Sequence, residues 1–452
     1  MLKLIPKAVK IENQSKQYSA AGSYIDFLFA SVVMQILFFA TAMWSGSSNY
    51  EFYNDNQVHI RFAMRLQLSL GWIMCIIAGL GFSILPLLYD LHSFEKSVMR
   101  TYLGLNISGQ FAIMLGVVSG IMTGDLLIFE TLATTGITLL CASLVALGPT
   151  AISIFKIRNP KENKLGPFTY SIGALMPFLG AITFTCWLLR VRVERILNLS
   201  ESIIFDFFIP LTVVALIISH FNRRLNWNII KQENLGKVFG IFSFLLFISV
   251  ICEPMYYRDE ISVRVFAALV CAPYFFIFLV INPMKILKGA IDKKPFNKML
   301  LAAVFWLPVV GFTSFIETLG YVEASEGTLP YSRLTLIFGV VFQSLWGFAE
   351  YLHDDHKKLS IHRRKTNWLV LISVNLGSLI VLQSFALSWM NEGAVEGFPR
   401  PMVLCFAISF IVILLQWIKN IFFSLDDWHK TPMFYDQYLA HPSEGSGFEP
   451  ED

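Results

Sequence analysis

Three acidic residues, Glu130, Asp206 and Glu317, lie within long apolar stretches of the sequence. An ionised carboxylate is costly in such surroundings, so each marks a candidate buried-charge site. All three lie close to an end of their stretch, and extension of the side chain towards water is the alternative interpretation. Their positions do not trace a continuous proton path.

Three arginines, Arg190, Arg192 and Arg195, form a second candidate site. A guanidinium group binds carboxylates and phosphates with two parallel hydrogen bonds. The cluster could therefore hold carboxylates of a cofactor, lipid phosphates or acidic residues of a partner. The alternative is an ordinary solvated loop.

These residues are positioned by a chain that consists mostly of apolar stretches about twenty residues long. A helix of ~20 residues crosses a hydrocarbon core about 30 Å thick, so each stretch is a candidate span. The sequence predicts an all-α polytopic membrane bundle of about twelve transmembrane helices within residues 23–424. The predicted stretches are Tyr24–Trp44, Leu66–Tyr89, Thr101–Thr123, Leu126–Ile154, Phe168–Leu189, Ile203–Phe221, Leu235–Cys252, Val263–Ile281, Met299–Leu319, Leu334–Leu352, Trp368–Trp389 and Met402–Phe423.

Composition supports a membrane protein and argues against several other classes. Hydrophobic residues make up 55% of the 452 residues, charged residues 15%, and the mean hydropathy is +0.59. A net charge of +3 without a basic arm argues against nucleic acid as a partner, and membrane lipid is the expected one. The six cysteines lie in apolar stretches without a CxxC pair, so we expect small buried side chains and no metal site.

The distribution of Lys and Arg predicts the orientation of the chain, because cytoplasmic loops are enriched in both. It places both termini in the cytoplasm, with the bundle in the inner (cytoplasmic) cell membrane. Residues 1–22 form a basic cytoplasmic segment, and residues 425–452 form an acidic tail that we expect to be disordered. The basic loops contain Lys156, Arg158, Lys161, Lys164, Arg223, Arg224, Lys231, Lys237, Lys285, Lys288, Lys293, Lys294, Lys298, Lys357, Lys358, Arg363, Arg364 and Lys365.

Three of the predicted stretches resemble helices of haem-copper oxidase subunit I. In the second stretch, Gly71-Trp72, Gly79, Gly81 and Pro86-Leu87 resemble its second helix, and resemble the corresponding helix of the NnrS family even more. The resemblance implies a subunit I-like bundle in a respiratory, electron-transporting membrane. Similar motifs in the tenth and sixth stretches are Gly339-Val340-Val341-Phe342, Trp346-Gly347-Phe348 and Ile217-Ile218-Ser219-His220.

The metal ligands of the resembling families are replaced in this sequence. On the tenth stretch, the two haem-ligand positions fall on Tyr331 and Arg333. On the second, the ligand falls on Ala63 in the subunit I frame, or on Met64 and Leu66 in the NnrS frame. The copper-binding stretches of the sixth and seventh helices have no histidine counterpart here. A haem–copper centre needs several converging imidazoles, so no binuclear copper centre is expected.

The resemblance also leaves open that the chain retains a single haem. His59, Met64 and Tyr331 are its candidate ligands, and Arg190, Arg192 and Arg195 would face its propionates. The alternatives are a histidine at the membrane surface and a methionine that serves packing. We expect Arg333 to turn inward and pair with Glu130, Asp206 or Glu317, because an unpaired guanidinium in a membrane is costly.

Three functions follow from these observations. The first is a non-catalytic or accessory subunit of a respiratory membrane complex, with the other subunits as partners. The second is a transporter or permease for a small solute, and the third a membrane sensor or assembly factor. The P-loop, GxSxG and HExxH motifs of soluble enzymes are absent from the sequence, which favours a non-enzymatic role.

Overall fold

The computed structural model of the chain describes residues 29–38, 40–41, 55–79, 96–148, 165–190, 195–224, 229–252, 260–281, 294–322, 329–356, 361–391 and 400–430. Every regular element within these ranges is a helix. The predicted N-terminal segment, Arg192 and the tail beyond residue 430 lie outside the described residues. The last helix includes residues 425–430, which the sequence had assigned to the tail.

The helices are labelled α1 to α12 in chain order. Three of them, α2, α6 and α10, contain π-helical segments of five to seven residues. In α2 the α-helix Gln57–Leu66 leads into the π segment Gln67–Ile73 and the helix continues to Gly79. Helix α6 consists of Arg195–Ser202, the π segment Ile203–Phe208, Ile209–Ser219 and the π segment His220–Arg224, and α10 consists of Tyr331–Thr335, the π segment Leu336–Phe342 and Gln343–His356. The remaining helices are Phe29–Phe38 (α1), Lys96–Thr123 (α3), Leu126–Val145 (α4), Leu165–Leu189 (α5), Leu235–Cys252 (α7), Glu260–Val280 (α8), Pro295–Thr318 (α9), Ile361–Asn391 (α11) and Arg400–Lys430 (α12).

Nine of the helices in the described part of the chain are long and apolar enough to cross a membrane. They indicate an integral membrane protein, as the composition predicts. The apolar parts of α1, α5 and α12 are shorter, at Phe29–Phe38, Leu175–Leu189 and Leu404–Lys419. The all-α bundle is thus borne out, while the count of twelve crossings and the oxidase-like arrangement remain predictions.

Three helices, α2, α6 and α10, form the centre of the bundle, and we call them the inner helices. In the most apolar window of each, 83% of the residues are buried, against 28% in α8. The outer helices α3, α4, α5, α7, α8, α9, α11 and α12 pack against one another in that order around them. Large apolar side chains such as Leu127, Ile261 and Leu279 remain exposed on the outer helices, where lipid would cover them.

The inner helices begin earlier than the sequence predicts. α2 starts at Gln57 rather than Leu66, and helical structure in α6 starts at Arg195 rather than Ile203. The predicted stretches begin just after Arg65 and just after Glu201, whereas the structure continues each helix through these charged residues, which bind each other. This extension brings charged side chains inside the bundle.

Candidate functional site

Arg333 of α10 binds Asp206 of α6 through two hydrogen bonds. Its Nη2 donates to Oδ2 at 2.6 Å, and its Nε donates to Oδ1 at 3.3 Å. The same guanidinium donates to Glu201 Oε2 at 3.1 Å and to the Ser202 hydroxyl at 2.9 Å. Two-point arginine–carboxylate contacts combine strength with fixed geometry. The expected pairing of Arg333 with an acidic residue is confirmed, and Asp206 is the partner among the three candidates.

Glu201 joins this pair to a second arginine, Arg65 of α2. Arg65 Nη1 donates to both carboxylate oxygens of Glu201, at 3.0 and 2.8 Å. The charges therefore alternate in the order Arg65, Glu201, Arg333 and Asp206, and their formal sum is zero. We call these four side chains the ion network. The Glu201 side chain is 4% exposed and that of Arg333 13%, so the centre of the network is largely removed from water.

The ion network connects all three inner helices near their N-terminal ends. Three of its members lie just ahead of a π segment, since Arg65 precedes Gln67, Glu201 precedes Ile203 and Arg333 precedes Leu336 by two or three residues, and Asp206 lies inside the π segment Ile203–Phe208. π segments inside α-helices frequently occur at functional sites. The charged side chains of the ion network and the π segments of the inner helices therefore lie next to each other in the centre of the bundle.

Glu317 of α9 caps the start of α10. Its carboxylate accepts a hydrogen bond from the backbone N–H of Tyr331 and another from that of Ser332 at 2.9 Å. The first N–H groups of a helix lack partners within the helix, and the helix dipole favours an anion there. Glu317 thereby fixes the start of α10 two residues before Arg333.

Glu130 belongs to a second charged cluster, formed by α2, α4 and α5. Its carboxylate binds the guanidinium of Arg190 and lies 3.4 Å from Nδ1 of His59. The Arg190 guanidinium also lies 3.6 Å from the ring centroid of Trp187, whose indole N–H donates to Thr134 at 3.1 Å. A cation stacked on tryptophan gains from the ring's electron density.

The three arginines of the predicted cluster do not share one environment that the structure describes. The Arg190 side chain is only 8% exposed, so the solvated-loop interpretation is wrong for it. Its acidic partner, Glu130, belongs to the chain itself. Arg195 begins α6, and Arg192 lies outside the described residues.

Aromatic side chains fill the space between α2 and α10. The Trp72 ring meets the Phe342 ring edge-on, with centroids 4.7 Å apart. Phe342 also packs against Trp346 at 5.3 Å and against Phe410 of α12 at 4.9 Å. Trp72 and Phe342 therefore bring α2 and α10 into direct contact on the C-terminal side of the ion network.

The residues at the predicted ligand positions do not fit an axial ligand pair for haem. Such a pair needs a nitrogen, sulfur or phenolate ligand from each side of the ring. On α10, Arg333 is held by carboxylates and the Tyr331 ring packs against an aromatic ring of α11. On α2, Ala63 and Leu66 are buried apolar residues, and Met64 packs against the core.

The two histidines nearest these helices have other surroundings. His59 lies in the Glu130 cluster, with an edge contact to Trp187 at 6.2 Å. His220 is buried in α6 and meets the Phe348 ring of α10 edge-on at 5.5 Å. Across the part of the chain that the structure describes, no group of three or more His, Cys, Asp or Glu side chains could hold a metal ion.

Two residues of the ion network, Arg65 and Glu201, escaped the sequence analysis. Arg65 directly precedes the predicted second stretch, and Glu201 lies two residues before the predicted sixth. Charges at such edges are normally assigned to the membrane surface. One sequence signal could have found them. Each lies one or two residues ahead of a predicted apolar stretch, as Arg333 does ahead of the tenth.

The sequence matches no protein-family model, and no curated protein matches it.

Proposed function

We propose that the chain is a haem-copper oxidase subunit I-like membrane protein that lacks the binuclear centre and serves as an accessory, non-catalytic subunit of a respiratory membrane complex. One observation carries the proposal. Arg333, which falls on a haem-ligand position of the resembling family, is bound instead by Asp206 and Glu201. The ion network then takes over a structural task that metal ligation would otherwise perform, namely joining the inner helices.

The helices concerned support this interpretation. The motifs that resemble subunit I lie on the second, sixth and tenth stretches, and α2, α6 and α10 are the three most buried helices in the described part of the chain. Metal sites in helical bundles are built from side chains on facing inner helices. In this chain the corresponding space contains a neutral ion network and packed aromatic rings, which make a rigid centre rather than a reaction chamber.

An accessory subunit must present a surface to its partners as well as to lipid. The outer helices expose large apolar side chains along their length, among them Phe244, Phe247 and Ile251 of α7. Helix association in membranes depends on close van der Waals packing between helices. The rigid centre would keep the outer helices in fixed positions for partner helices.

The test is the behaviour of the tagged full-length chain in its native membrane. We expect it to elute in constant proportion with haem absorbance from other chains after mild solubilisation, and its deletion to lower membrane oxygen consumption. Arg333→Ala should lower both co-elution and respiration, while Arg100→Ala, at an exposed position of α3, should leave both unchanged. Elution without haem-bearing chains, together with unchanged respiration, would contradict the proposal.

A small-solute transporter is the second candidate, and one observation favours it. Transporters bind substrates and ions where irregular helical backbone lines a polar site within the bundle. The π segment of α2 is surrounded by buried carboxamide side chains, including Gln67 and Gln110. Solute uptake by proteoliposomes containing only this chain would decide for the transporter.

A further inference from the structure

Four buried carboxamide side chains surround the π segment of α2. They are Gln35 of α1, Gln67 of α2, and Asn106 and Gln110 of α3, and none is more than 2% exposed. We call them the carboxamide cluster. Polar side chains at such burial normally find hydrogen-bond partners for each polar atom.

The side-chain N–H groups of three members of the cluster, Gln67, Gln110 and Asn106, are anchored on backbone carbonyls. Gln67 Nε2 donates to the carbonyl of Gln110 at 3.0 Å, and Gln110 Nε2 donates to the carbonyl of Gln67 at 2.6 Å. Asn106 Nδ2 donates to the carbonyl of Leu70 at 3.1 Å. Rotating any of these amides by half a turn would place an oxygen against a carbonyl oxygen. The orientation of all three is therefore fixed by donors and acceptors.

This anchoring leaves the amide oxygens without donors. Oε1 of Gln67, Oε1 of Gln110 and Oδ1 of Asn106 accept no hydrogen bond from any residue that the structure describes. Asn106 and Gln110 are four residues apart on one face of α3, about 6 Å along the helix. Gln67 lies opposite Gln110, and Asn106 contacts the carbonyl of Leu70, so the three side chains lie between α2 and α3.

Gln35 faces the same region from α1. The contact of Ser31 Oγ with Cys75 Sγ at 3.8 Å and that of Gln67 Nε2 with Thr41 Oγ1 at 3.3 Å show that α1 runs antiparallel to α2. Interpolation between the two contacts places Gln35 opposite residues 71–72. Both polar atoms of Gln35 lack a partner among the described residues.

Gly71 makes room for the cluster. A Cβ atom at this position would lie 1.3 Å from Nε2 of Gln110, so only glycine admits that side chain. The backbone of α2 and the side chain of Gln110 thus approach each other within the π segment.

A second buried carboxamide pair in the bundle shows the contrast. Asn375 Nδ2 donates to Gln343 Oε1 at 3.0 Å, and Gln343 Nε2 donates to Asn375 Oδ1 at 3.2 Å. Trp306 also donates to Asn375 Oδ1, at 2.8 Å. In this pair both amide oxygens have a donor. Asn367 Oδ1 and Gln416 Oε1 are further buried amide oxygens that accept no hydrogen bond from a described residue, but the cluster around α2 places several such side chains on neighbouring helices.

We infer that the carboxamide cluster binds a monovalent cation. A cation satisfies oxygen acceptors without itself requiring an acceptor, and carbonyl-type oxygens alone can replace its hydration shell. The cluster contains no carboxylate, whereas divalent cations in proteins are usually bound with carboxylate ligands. The inference concerns a site apart from the ion network and goes beyond the proposed accessory role.

The inference is tested by thermal unfolding of the purified full-length chain in detergent. Choline chloride is replaced by NaCl, KCl or NH4Cl at constant ionic strength, so that only the small cation changes. A ligand that binds the folded state raises Tm with saturation. We expect a saturable rise of about 2 °C or more with one of the three cations.

Two variants of Gln35 give opposite expectations. Gln35→Met removes one oxygen and should abolish the cation-dependent part of the Tm shift. Gln35→Glu adds a carboxylate, and should lower the half-saturating cation concentration about tenfold, since opposite charges attract strongly in a low-dielectric interior. The matched control is Gln343→Met, a buried carboxamide of α10, which should retain the cation-dependent shift whatever its absolute Tm.

Equal Tm in all four salts for both the original chain and Gln35→Glu would overturn the inference, and would leave ordered water as the occupant of the cluster. A cation-dependent shift that persists in Gln35→Met at unchanged half-saturation would overturn the assignment to this cluster.

Discussion

Arg333 of α10 and Asp206 of α6 are 127 residues apart in sequence, yet two hydrogen bonds join them, the shorter at 2.6 Å. Glu201 extends this contact to Arg65, so that α2, α6 and α10 share one charged layer. Removing one member of a buried ion pair leaves the other charge without compensation, which is costly. The pair therefore determines how the inner helices are held together.

Replacing Arg333 by methionine should strongly destabilise the protein. The substitution leaves Asp206 without its two-point partner, and breaking a buried pair typically costs about 3–5 kcal/mol. Because Asp206 is 33% exposed, we expect the lower end of that range, about 3 kcal/mol. Thermal unfolding in detergent measures the loss.

The double variant Arg333→Met/Asp206→Leu separates charge from packing. It removes both charges and keeps Glu201 paired with Arg65, so it should recover at least half of the lost stability. Arg100→Met, on the exposed face of α3, is the control and should leave Tm unchanged. A double variant less stable than Arg333→Met would argue that the ion pair does not connect the helices in this way.

Arg190→Lys should destabilise the protein although the charge is kept. The planar guanidinium lies on the Trp187 ring and binds Glu130 at once, whereas an ammonium group cannot make both contacts in the same geometry. We expect a loss of about 1–2 kcal/mol from the weakened cation–π and carboxylate contacts. Unfolding monitored by tryptophan fluorescence measures it. Arg100→Lys serves as the control, and equal stability of both variants would remove Arg190 from any structural role.

Gly136→Ala should disrupt the packing of α3 against α4. A Cβ at Gly136 would lie 2.7 Å from the carbonyl oxygen of Gly109 and 2.8 Å from the amide nitrogen of Ile113. Backbone atoms cannot move aside cheaply, and overpacking costs about 1–3 kcal/mol. The control is Gly104→Ala on α3, where no heavy atom lies within 4 Å of the added Cβ. Alanine there should stabilise the helix slightly, and a loss equal to that of Gly136→Ala would contradict the packing.

Hydropathy located several helices accurately. The predicted stretch Leu235–Cys252 coincides with α7, and the predicted start at Leu126 coincides with that of α4. Asp125 explains the second case, because its carboxylate caps α4 by accepting hydrogen bonds from the N–H groups of Leu127 and Ile128. A long apolar run and a capping residue are local signals, and they locate helices that face lipid.

The inner helices depart from their predicted bounds because their signals are not local. Arg65 has its partner 136 residues away, so the sequence around it suggests a membrane surface rather than a buried pair. The π segments and the carboxamide cluster also escaped prediction, since single glutamines such as Gln67 and Gln110 do not interrupt a hydropathy profile. Partner choice among distant polar residues depends on helix packing, which the sequence pattern does not specify.

The distribution of Lys and Arg among the loops predicts the membrane topology of the chain. Reporters fused after Lys164, Lys237 or Lys298 should report the cytoplasm, and reporters fused after Glu326 or Glu396 should report the outside, because Lys and Arg are retained on the cytoplasmic side. Alkaline phosphatase and fluorescent-protein fusions measure the two locations. A reversed result at two or more of these sites would overturn the span count.

The haem and copper content of the isolated full-length chain tests the central claim most directly. The positions that resemble ligand sites contain Ala63, Met64, Tyr331 and Arg333, and Arg333 is held by Asp206. We predict substoichiometric haem and copper, no carbon-monoxide-sensitive absorption band, and no oxygen reduction by the chain after its partners are removed. Stoichiometric copper together with a haem that reacts with carbon monoxide would contradict the account.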